Sequence, residues 1–61
     1  MKTFVVTGGS RGIGRGITRS LAEAGNNIIF TYNTNKQAAE ENKIFIEQNY
    51  QVKCCFIQVM F

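Results

Sequence analysis

The chain has 61 residues, enough for one small domain at most. Of these residues 44% are hydrophobic and 18% are charged, a balance typical of a folded globular protein and unlike that of a disordered one. The formal net charge of +3 suits an anionic ligand, but the basic residues are scattered and form no polybasic arm. The composition therefore does not indicate a nucleic-acid-binding protein.

Other function classes are excluded by what the sequence lacks. No apolar run is long enough to cross a bilayer, and a strand-like run follows Met1-Lys2 directly, without a signal peptide. We therefore expect a cytoplasmic location and no membrane partner. The sequence contains no histidine and no aspartate, which removes most metal sites and every Ser-His-Asp arrangement. Cys54 and Cys55 are neighbours that would point to opposite faces of a strand, so we expect two unpaired thiols.

The first half of the chain predicts a strand followed by a helix. Residues 3–7 form a short β-branched and aromatic run, typical of a buried strand, and Gly8-Gly9 ends it. Apolar residues then recur every three or four positions, which is the spacing of one helix face. These residues are Ile13, Ile17, Leu21 and Ala24. Gly25-Asn26 supplies the left-handed cap that ends such a helix.

The second half repeats this pattern and adds a third strand. Residues 27–32 are rich in strand-forming side chains, and residues 33–35 can cap a helix that runs from about Lys36 to Gln48. The plausible packing positions of this helix are Ala38, Ala39, Phe45 and Ile46. Residues 52–59 are the third strand candidate. No proline, repeat or low-complexity linker marks an internal boundary, so residues 1–61 are predicted to form one unit.

Strands that alternate with helices of this length predict two crossover units in a parallel sheet. Such crossovers are right-handed in nearly all proteins, so both helices are expected on one face of the three strands. The other face has no cover within this sequence, and the first strand has one neighbour where its apolar run predicts two. The fold class is therefore α/β, with the β-α-β-α-β order of the amino-terminal half of a doubly wound parallel sheet.

The segment between the first strand and the first helix carries the functional signal. Its glycines Gly8, Gly12 and Gly14 have the spacing G-x-x-x-G-x-G. The segment is not the G-x-G-x-x-G fingerprint, because Ile17 stands where the third glycine would be. It is not a P-loop either, because no Lys-Ser/Thr pair follows Gly14.

The chemistry of this segment suits a pyrophosphate. Gly8 lets the chain turn off the strand, Gly12 lets the backbone approach the ligand, and Gly14 lets the helix pack close to the sheet. The N–H groups of the helix's first turn would face the phosphates. Arg11 and Arg15 indicate an anion, because two cations at a helix N-terminus are unfavourable without one. Two alternatives remain open here, namely solvated surface arginines and a glycine-rich turn that binds nothing.

The run Thr-Gly-x-x-x-Gly-x-Gly after the first strand resembles the cofactor signature of the short-chain dehydrogenase/reductase family. The longer run VVTGGSRGIGRGI is similar to the 3-oxoacyl-[acyl-carrier-protein] reductase branch, and the similarity continues through LAEAGNNIIFTYN and AAEENKIFIEQ. The resemblance implies a partial Rossmann domain from an oxidoreductase of fatty acid biosynthesis. It also implies a small carbonyl or alcohol substrate and, for a full-length parent, a homo-oligomer.

The resemblance also indicates which dinucleotide is bound. A carboxylate at the end of the second strand would select NAD(H), but Tyr32, Asn33 and Thr34 stand there. In the resembled branch, an arginine at the position of Arg11 and polar residues after the second strand hold the 2′-phosphate of NADP(H). We therefore expect NADP(H) rather than NAD(H), with simple helix capping as the alternative for the two polar residues. The expected cofactor-binding residues are Gly8, Ser10, Arg11, Gly12, Ile13, Gly14, Asn33 and Thr34.

Two departures from the family pattern limit the expected activity. Met60 stands where the family has an aspartate that contacts the adenine. The catalytic serine, tyrosine and lysine of the family lie farther along the chain, so no catalytic residue is assigned and the chain alone is expected to be inactive. Tyr32-x-x-x-Lys36 has the spacing of the catalytic pair, but that pair lies on a helix, whereas Tyr32 ends a strand. A second hypothesis is a non-catalytic nucleotide-binding or assembly fragment, which the uncovered sheet face and open edge would suit.

Overall fold

The computed structural model describes residues 2–10 and 12–59, in which three strands and two helices alternate. They are β1 (Thr3–Val6), α1 (Gly12–Glu23), β2 (Asn27–Tyr32), α2 (Lys36–Asn49) and β3 (Cys54–Gln58). The β-α-β-α-β order confirms the expected fold class, and each element begins and ends within two residues of its predicted bounds.

The strands form one parallel sheet in the order β1-β2-β3. The register aligns Phe4 with Ile28 and Ile28 with Cys54, so these three residues share one face of the sheet. Helix α1 contacts β1 and β2, α2 contacts β3, and the two helices contact each other. Both helices therefore lie on the same face, as right-handed crossovers require.

The core lies between this face and the two helices. Along β2, Ile28, Phe30 and Tyr32 are buried while the residues between them are partly exposed, which is the alternation of a sheet covered on one side. The ring of Phe56 on β3 lies 5.9 Å from that of Phe30 and 5.5 Å from that of Tyr32. The buried apolar residues are Ala22, Ile28, Phe30, Tyr32, Ala39, Ile46 and Cys54.

The opposite face of the sheet is open among the described residues. Val5 is 68% exposed and Ile57 is 55% exposed, with Ile29 partly exposed between them. The prediction that β1 is a buried strand is therefore wrong for this chain, since Thr3, Phe4 and Val5 are all exposed. A strand that has one neighbour and one covered face cannot be buried, however apolar its sequence.

Helix α1 packs only partly through the predicted residues, of which Leu21 lies against the core. Ile13 is 85% exposed and Ile17 is 46% exposed, whereas the buried residues of the helix are Thr18 and Ala22. With Gly14, these two residues recur every four positions and form a stripe of small side chains. At Gly14 the helix lies so close to the turn that a larger side chain would not fit between them.

Helix α2 follows its prediction more closely. Ala39 and Ile46 are buried, Ala38 and Phe45 are partly buried, and Asn42 is buried although no apolar pattern predicts it. The helix begins after Asn35, whose side-chain oxygen accepts a hydrogen bond of 2.9 Å from the N–H of Ala38.

Candidate functional site

The glycine-rich turn after β1 is anchored to the end of β2. The N–H of Gly8 donates to Oγ1 of Thr31, and the N–H of Gly9 donates to the carbonyl oxygen of Thr31. Each of these hydrogen bonds has a donor–acceptor distance of 3.0 Å. The turn is entered at Gly8 and left at Gly12, where φ is +70° and +65°. Both values lie in the left-handed region that favours glycine, so the spacing of the motif matches a real conformational requirement.

The helix that follows lies against this turn. A Cβ atom built on Gly14 would lie 2.8 Å from the carbonyl carbon of Gly8 and 3.2 Å from Cα of Gly9. A Cβ atom on Gly9 would lie 2.9 Å from both Cγ of Phe30 and Cγ2 of Thr18. Gly14 thus permits close packing, as predicted, but against the turn itself rather than against the strands.

A buried asparagine joins the turn to α2. The amide nitrogen of Asn42 donates to the carbonyl oxygen of Gly9 at 2.9 Å and to Oγ1 of Thr18 at 3.0 Å. Its amide oxygen accepts a 2.9 Å hydrogen bond from Nε of Arg19, and the Arg19 guanidinium lies 3.7 Å above the ring of Phe45. Sequence reasoning missed this residue, which stands in a charged stretch of the helix that looks solvent-exposed.

A cavity of about 280 Å³ lies where this turn meets the segment after β2. Both segments follow the carboxyl ends of neighbouring parallel strands, which is where ligands bind in open α/β sheets. The described residues that line the cavity are Gly8, Ser10, Tyr32, Asn33, Thr34 and Asn35. Four of them, Gly8, Ser10, Asn33 and Thr34, belong to the expected cofactor-binding set, so the structure brings together residues from two separate parts of the sequence.

The electrostatics of this region favour an anion. None of the described residues that line the cavity is a carboxylate, and the first turn of α1 carries no acidic side chain. The unpaired backbone N–H groups of a helix's first turn carry partial positive charge. A phosphate near the start of α1 would therefore meet hydrogen-bond donors and no repelling charge.

The other expected residues occupy different places. Gly12, Ile13 and Gly14 form the beginning of α1 and do not line the cavity, and Arg15 is exposed. Arg11 and Met60 lie outside the residues that the structure describes.

Asn33 and Thr34 are exposed at the mouth of the cavity. The N-terminal cap of α2 is Asn35. Helix capping therefore does not explain the polar side chains of Asn33 and Thr34. The side chain of Gln58 donates to the carbonyl oxygen of Asn33 at 3.0 Å, which ties this segment to β3.

The structure also places two further sequence features, the Tyr32/Lys36 pair and the two cysteines. Tyr32 ends β2 and Lys36 begins α2, so their spacing does not place them on one helix. Cys54 is buried and Cys55 is exposed, and both are free thiols. Burial raises the pKa of the Cys54 thiol to about 11, and the Glu47 carboxylate adds to the effect.

The described residues contain no group of three metal-ligating side chains that could hold a metal ion. Neither described helix is long and apolar enough to span a membrane.

Known proteins are similar to this chain in sequence and in fold. An uncharacterized oxidoreductase of Bacillus subtilis, YhxC, is 41% identical over 56 residues, which are 92% of this chain and 19% of the relative. The L-rhamnose 1-dehydrogenase (NADP(+)) of Thermoplasma acidophilum is 50% identical over 40 residues, 66% of this chain and 16% of the relative. The chain thus spans about a fifth of the length of these curated relatives.

Among solved structures, an alcohol dehydrogenase from the archaeon Thermococcus sibiricus, complexed with 5-hydroxy-NADP, superimposes with a TM-score of 0.89. It is 30% identical, and the match covers 97% of this chain and 25% of that one. Residues 2–60 match the short chain dehydrogenase family, which is nearly the whole sequence. The chain belongs to the short chain dehydrogenase family.

Proposed function

We propose that this chain binds NADP(H) and forms the cofactor-binding part of an oxidoreductase. The observation that carries the proposal is the cavity in which the glycine-rich turn meets Asn33 and Thr34 without any carboxylate among its described lining residues. This arrangement suits a dinucleotide whose pyrophosphate and ribose 2′-phosphate are both negatively charged.

Each expected residue has a distinct task in this proposal. Gly8 and Gly12 give the turn its conformation, and Gly14 brings the start of α1 against it. The backbone N–H groups of the turn and of the first helical turn, at Ser10 and Ile13, would hold the pyrophosphate.

The preference for NADP(H) over NAD(H) rests on charge. Arg11 would pair with the 2′-phosphate, and Asn33 and Thr34 would donate hydrogen bonds to it. An acidic residue after β2 would repel that phosphate, and none is present in the segment 32–35. The Thermoplasma relative is an NADP(+) enzyme by name, and the Thermococcus structure contains an NADP derivative, which supports the same preference.

For the parent protein we propose a ketone reductase similar to 3-oxoacyl-[acyl-carrier-protein] reductase, cytoplasmic and homo-oligomeric. The bound cofactor supplies hydride in such a reaction. In this proposal the glycine-rich turn of the chain orients the cofactor, and the chain selects the ribose 2′-phosphate. No residue of the chain is proposed to transfer a proton.

A second candidate function is a non-catalytic nucleotide-binding or assembly fragment. The open sheet face, on which Val5 and Ile57 are largely exposed, favours it because apolar surface of this kind is suited to contact with another polypeptide. Under this alternative the chain would act only together with a partner that covers the face.

A titration of the purified chain with NADPH and then with NADH tests the proposal. Since the chain has no tryptophan, binding is followed by calorimetry or NMR. Saturable binding with NADPH preferred is the expected result, and an Arg11→Ala variant should lose more affinity for NADPH than for NADH. Equal losses for both would refute the role of Arg11, and a folded chain that binds neither dinucleotide would refute the proposed function.

A further inference from the structure

We propose that Asn42 is a positioning residue for the dinucleotide turn, an inference that rests on the proposed function. Asn42 lies on α2, 33 residues along the chain from Gly9, and is 1% exposed. It does not line the cavity, so it would act on a bound dinucleotide only through the backbone that it holds.

The hydrogen-bond partners of Asn42 fix the orientation of its amide. The carbonyl oxygen of Gly9 can only accept a hydrogen bond, and Nε of Arg19 can only donate one. The amide nitrogen must therefore face the turn and the amide oxygen must face Arg19. The second amide hydrogen reaches the hydroxyl of Thr18, which itself donates to the carbonyl oxygen of Arg15 at 2.7 Å.

This contact completes the anchoring of Gly9. Thr31 accepts from the N–H of Gly9, and Asn42 donates to its carbonyl oxygen, so the residue is held from two sides. Its neighbours Gly8 and Ser10 both line the cavity. Any movement of Gly9 would therefore displace the two turn residues that face the cavity.

The polar side chain at this position links α2 both to α1 and to the turn. A buried position in the middle of a helix that packs on a sheet is ordinarily apolar, and a leucine would stabilise the helix more than an asparagine does. An asparagine at such a position costs free energy unless its polar atoms are paired. Asn42 has partners for both ends of its amide, and one of them is the turn.

The test compares three variants of the chain with the unmodified protein. Asn42→Leu removes the donor and replaces the amide with an apolar side chain of the same branched shape and somewhat larger volume. Asn42→Asp keeps the acceptor for Arg19 but turns an oxygen toward the Gly9 carbonyl. Asn49→Leu is the matched control, since Asn49 lies on the same helix, is exposed and donates to the carbonyl oxygen of Phe45 in its own helix.

Two measurements are made on each variant, namely the dissociation constants for NADPH and NADH and the hydrogen-exchange protection of individual backbone amides. Both Asn42 variants should bind NADPH and NADH about tenfold more weakly, because a buried carbonyl loses its partner. Both affinities should fall, since the turn serves the pyrophosphate that the two cofactors share, and the loss for NADPH should be at least as large as that for NADH, since Arg11 directly follows the turn. Protection of the Gly8 and Gly9 amides should fall about tenfold as the turn opens locally, while that of Ile28 in β2 should not change.

The outcomes separate this inference from the proposed function. Unchanged affinity and unchanged protection of Gly8 and Gly9 in a folded Asn42→Asp chain would overturn the role of Asn42 alone. An unmodified chain that is folded and binds neither dinucleotide would refute the proposed function, and the exchange data would then decide whether Asn42 positions the turn. Equal loss of protection at Ile28 and at the turn, or an equal effect of Asn49→Leu, would also overturn the inference, since the effect would then be a general loss of stability.

Discussion

Gly14 lies directly against the carbonyl group of Gly8, so the first turn of α1 and the turn that precedes it share a backbone-to-backbone contact. A Cβ atom on Gly14 would lie 2.8 Å from the carbonyl carbon of Gly8. The obstacle is backbone rather than the end of a flexible side chain, and it cannot move without changing the turn. Gly16, two residues farther along the helix, has open space at the same position.

Replacing Gly14 with alanine should therefore destabilise the chain and weaken dinucleotide binding. Overpacking of this kind costs about 1–3 kcal/mol of unfolding free energy, and the displaced turn should bind NADPH at least about tenfold more weakly. Urea denaturation and calorimetric titration measure the two effects.

The control is Gly16→Ala on the same helix. Alanine is a better helix former than glycine, so this variant should be more stable by about 0.5–1 kcal/mol and should bind as the unmodified chain does. If both alanine variants behaved alike, the contact between Gly14 and Gly8 would have no part in the stability of the turn.

Thr31 should matter through its hydroxyl rather than through its shape. Thr31→Val keeps a β-branched side chain in β2 but removes the oxygen that accepts from the N–H of Gly8 at 3.0 Å. Because this bond is exposed and water can replace the hydroxyl, we expect a loss of about 0.5–1 kcal/mol in unfolding free energy. The amide resonance of Gly8 should shift in the NMR spectrum while that of Ile28 stays in place. A spectrum that is unchanged at Gly8 would contradict the prediction.

A carboxylate at the mouth of the cavity should reverse the cofactor preference. Asn33→Asp places a negative charge after β2, where it would repel a 2′-phosphate and accept a hydrogen bond from a ribose hydroxyl. We expect about a tenfold loss of NADPH affinity and unchanged or improved NADH affinity, measured by titration at low ionic strength. Asn49→Asp introduces the same charge far along α2 and should change both affinities equally. A parallel change in the Asn33→Asp variant would mean that Asn33 does not face the 2′ position.

The pH dependence of stability should contain a contribution from Cys54. Burial raises the pKa of this thiol from 9.0 to about 11, so the protonated form is favoured in the folded chain. Below pH 9 the thiol is protonated in both states and this contribution is fully present. Between pH 9 and about 11 only the unfolded chain releases the proton, so the unfolding free energy should fall as the pH rises, by about 2 kcal/mol at most.

The comparison that isolates this contribution is the urea midpoint of the unmodified chain and of Cys54→Ala across the same pH range. The decline should be steeper in the unmodified chain, because the two proteins differ only in whether residue 54 carries a thiol. In the folded state a thiol reagent should modify the exposed Cys55 first and reach Cys54 only on unfolding. Equal rates for the two thiols would show that Cys54 is accessible.

The order of the elements was predictable because each carries its own local signal. β-branched runs mark the strands, and Gly25, with φ of +90°, ends α1 as its position predicts. The glycine spacing also placed the turn correctly, since positive φ at Gly8 and Gly12 is a property of the local backbone. Local sequence patterns do not indicate how closely two helices or strands pack against each other.

For this reason two features of the candidate site were not predicted correctly, namely the packing residues of α1 and the role of Asn42. Periodicity indicated Ile13 and Ile17 as packing residues of α1, but they are exposed, because the start of the helix lies against the turn through Gly14 and buries Thr18. The spacing of three small residues at every fourth position was the signal that would have found this face. Asn42 had no such signal, because its partner Gly9 is 33 residues away.

The anchors of the glycine-rich turn all come from later parts of the chain. Thr31 is 23 residues beyond Gly8, and Asn42 is 33 residues beyond Gly9. On the ribosome, β1 and α1 emerge first with every residue of the motif in place, before either residue that holds the turn by hydrogen bonds has been synthesised. The hydrogen bonds that hold the turn can therefore form only after β2 and then α2 have been synthesised and have docked against it.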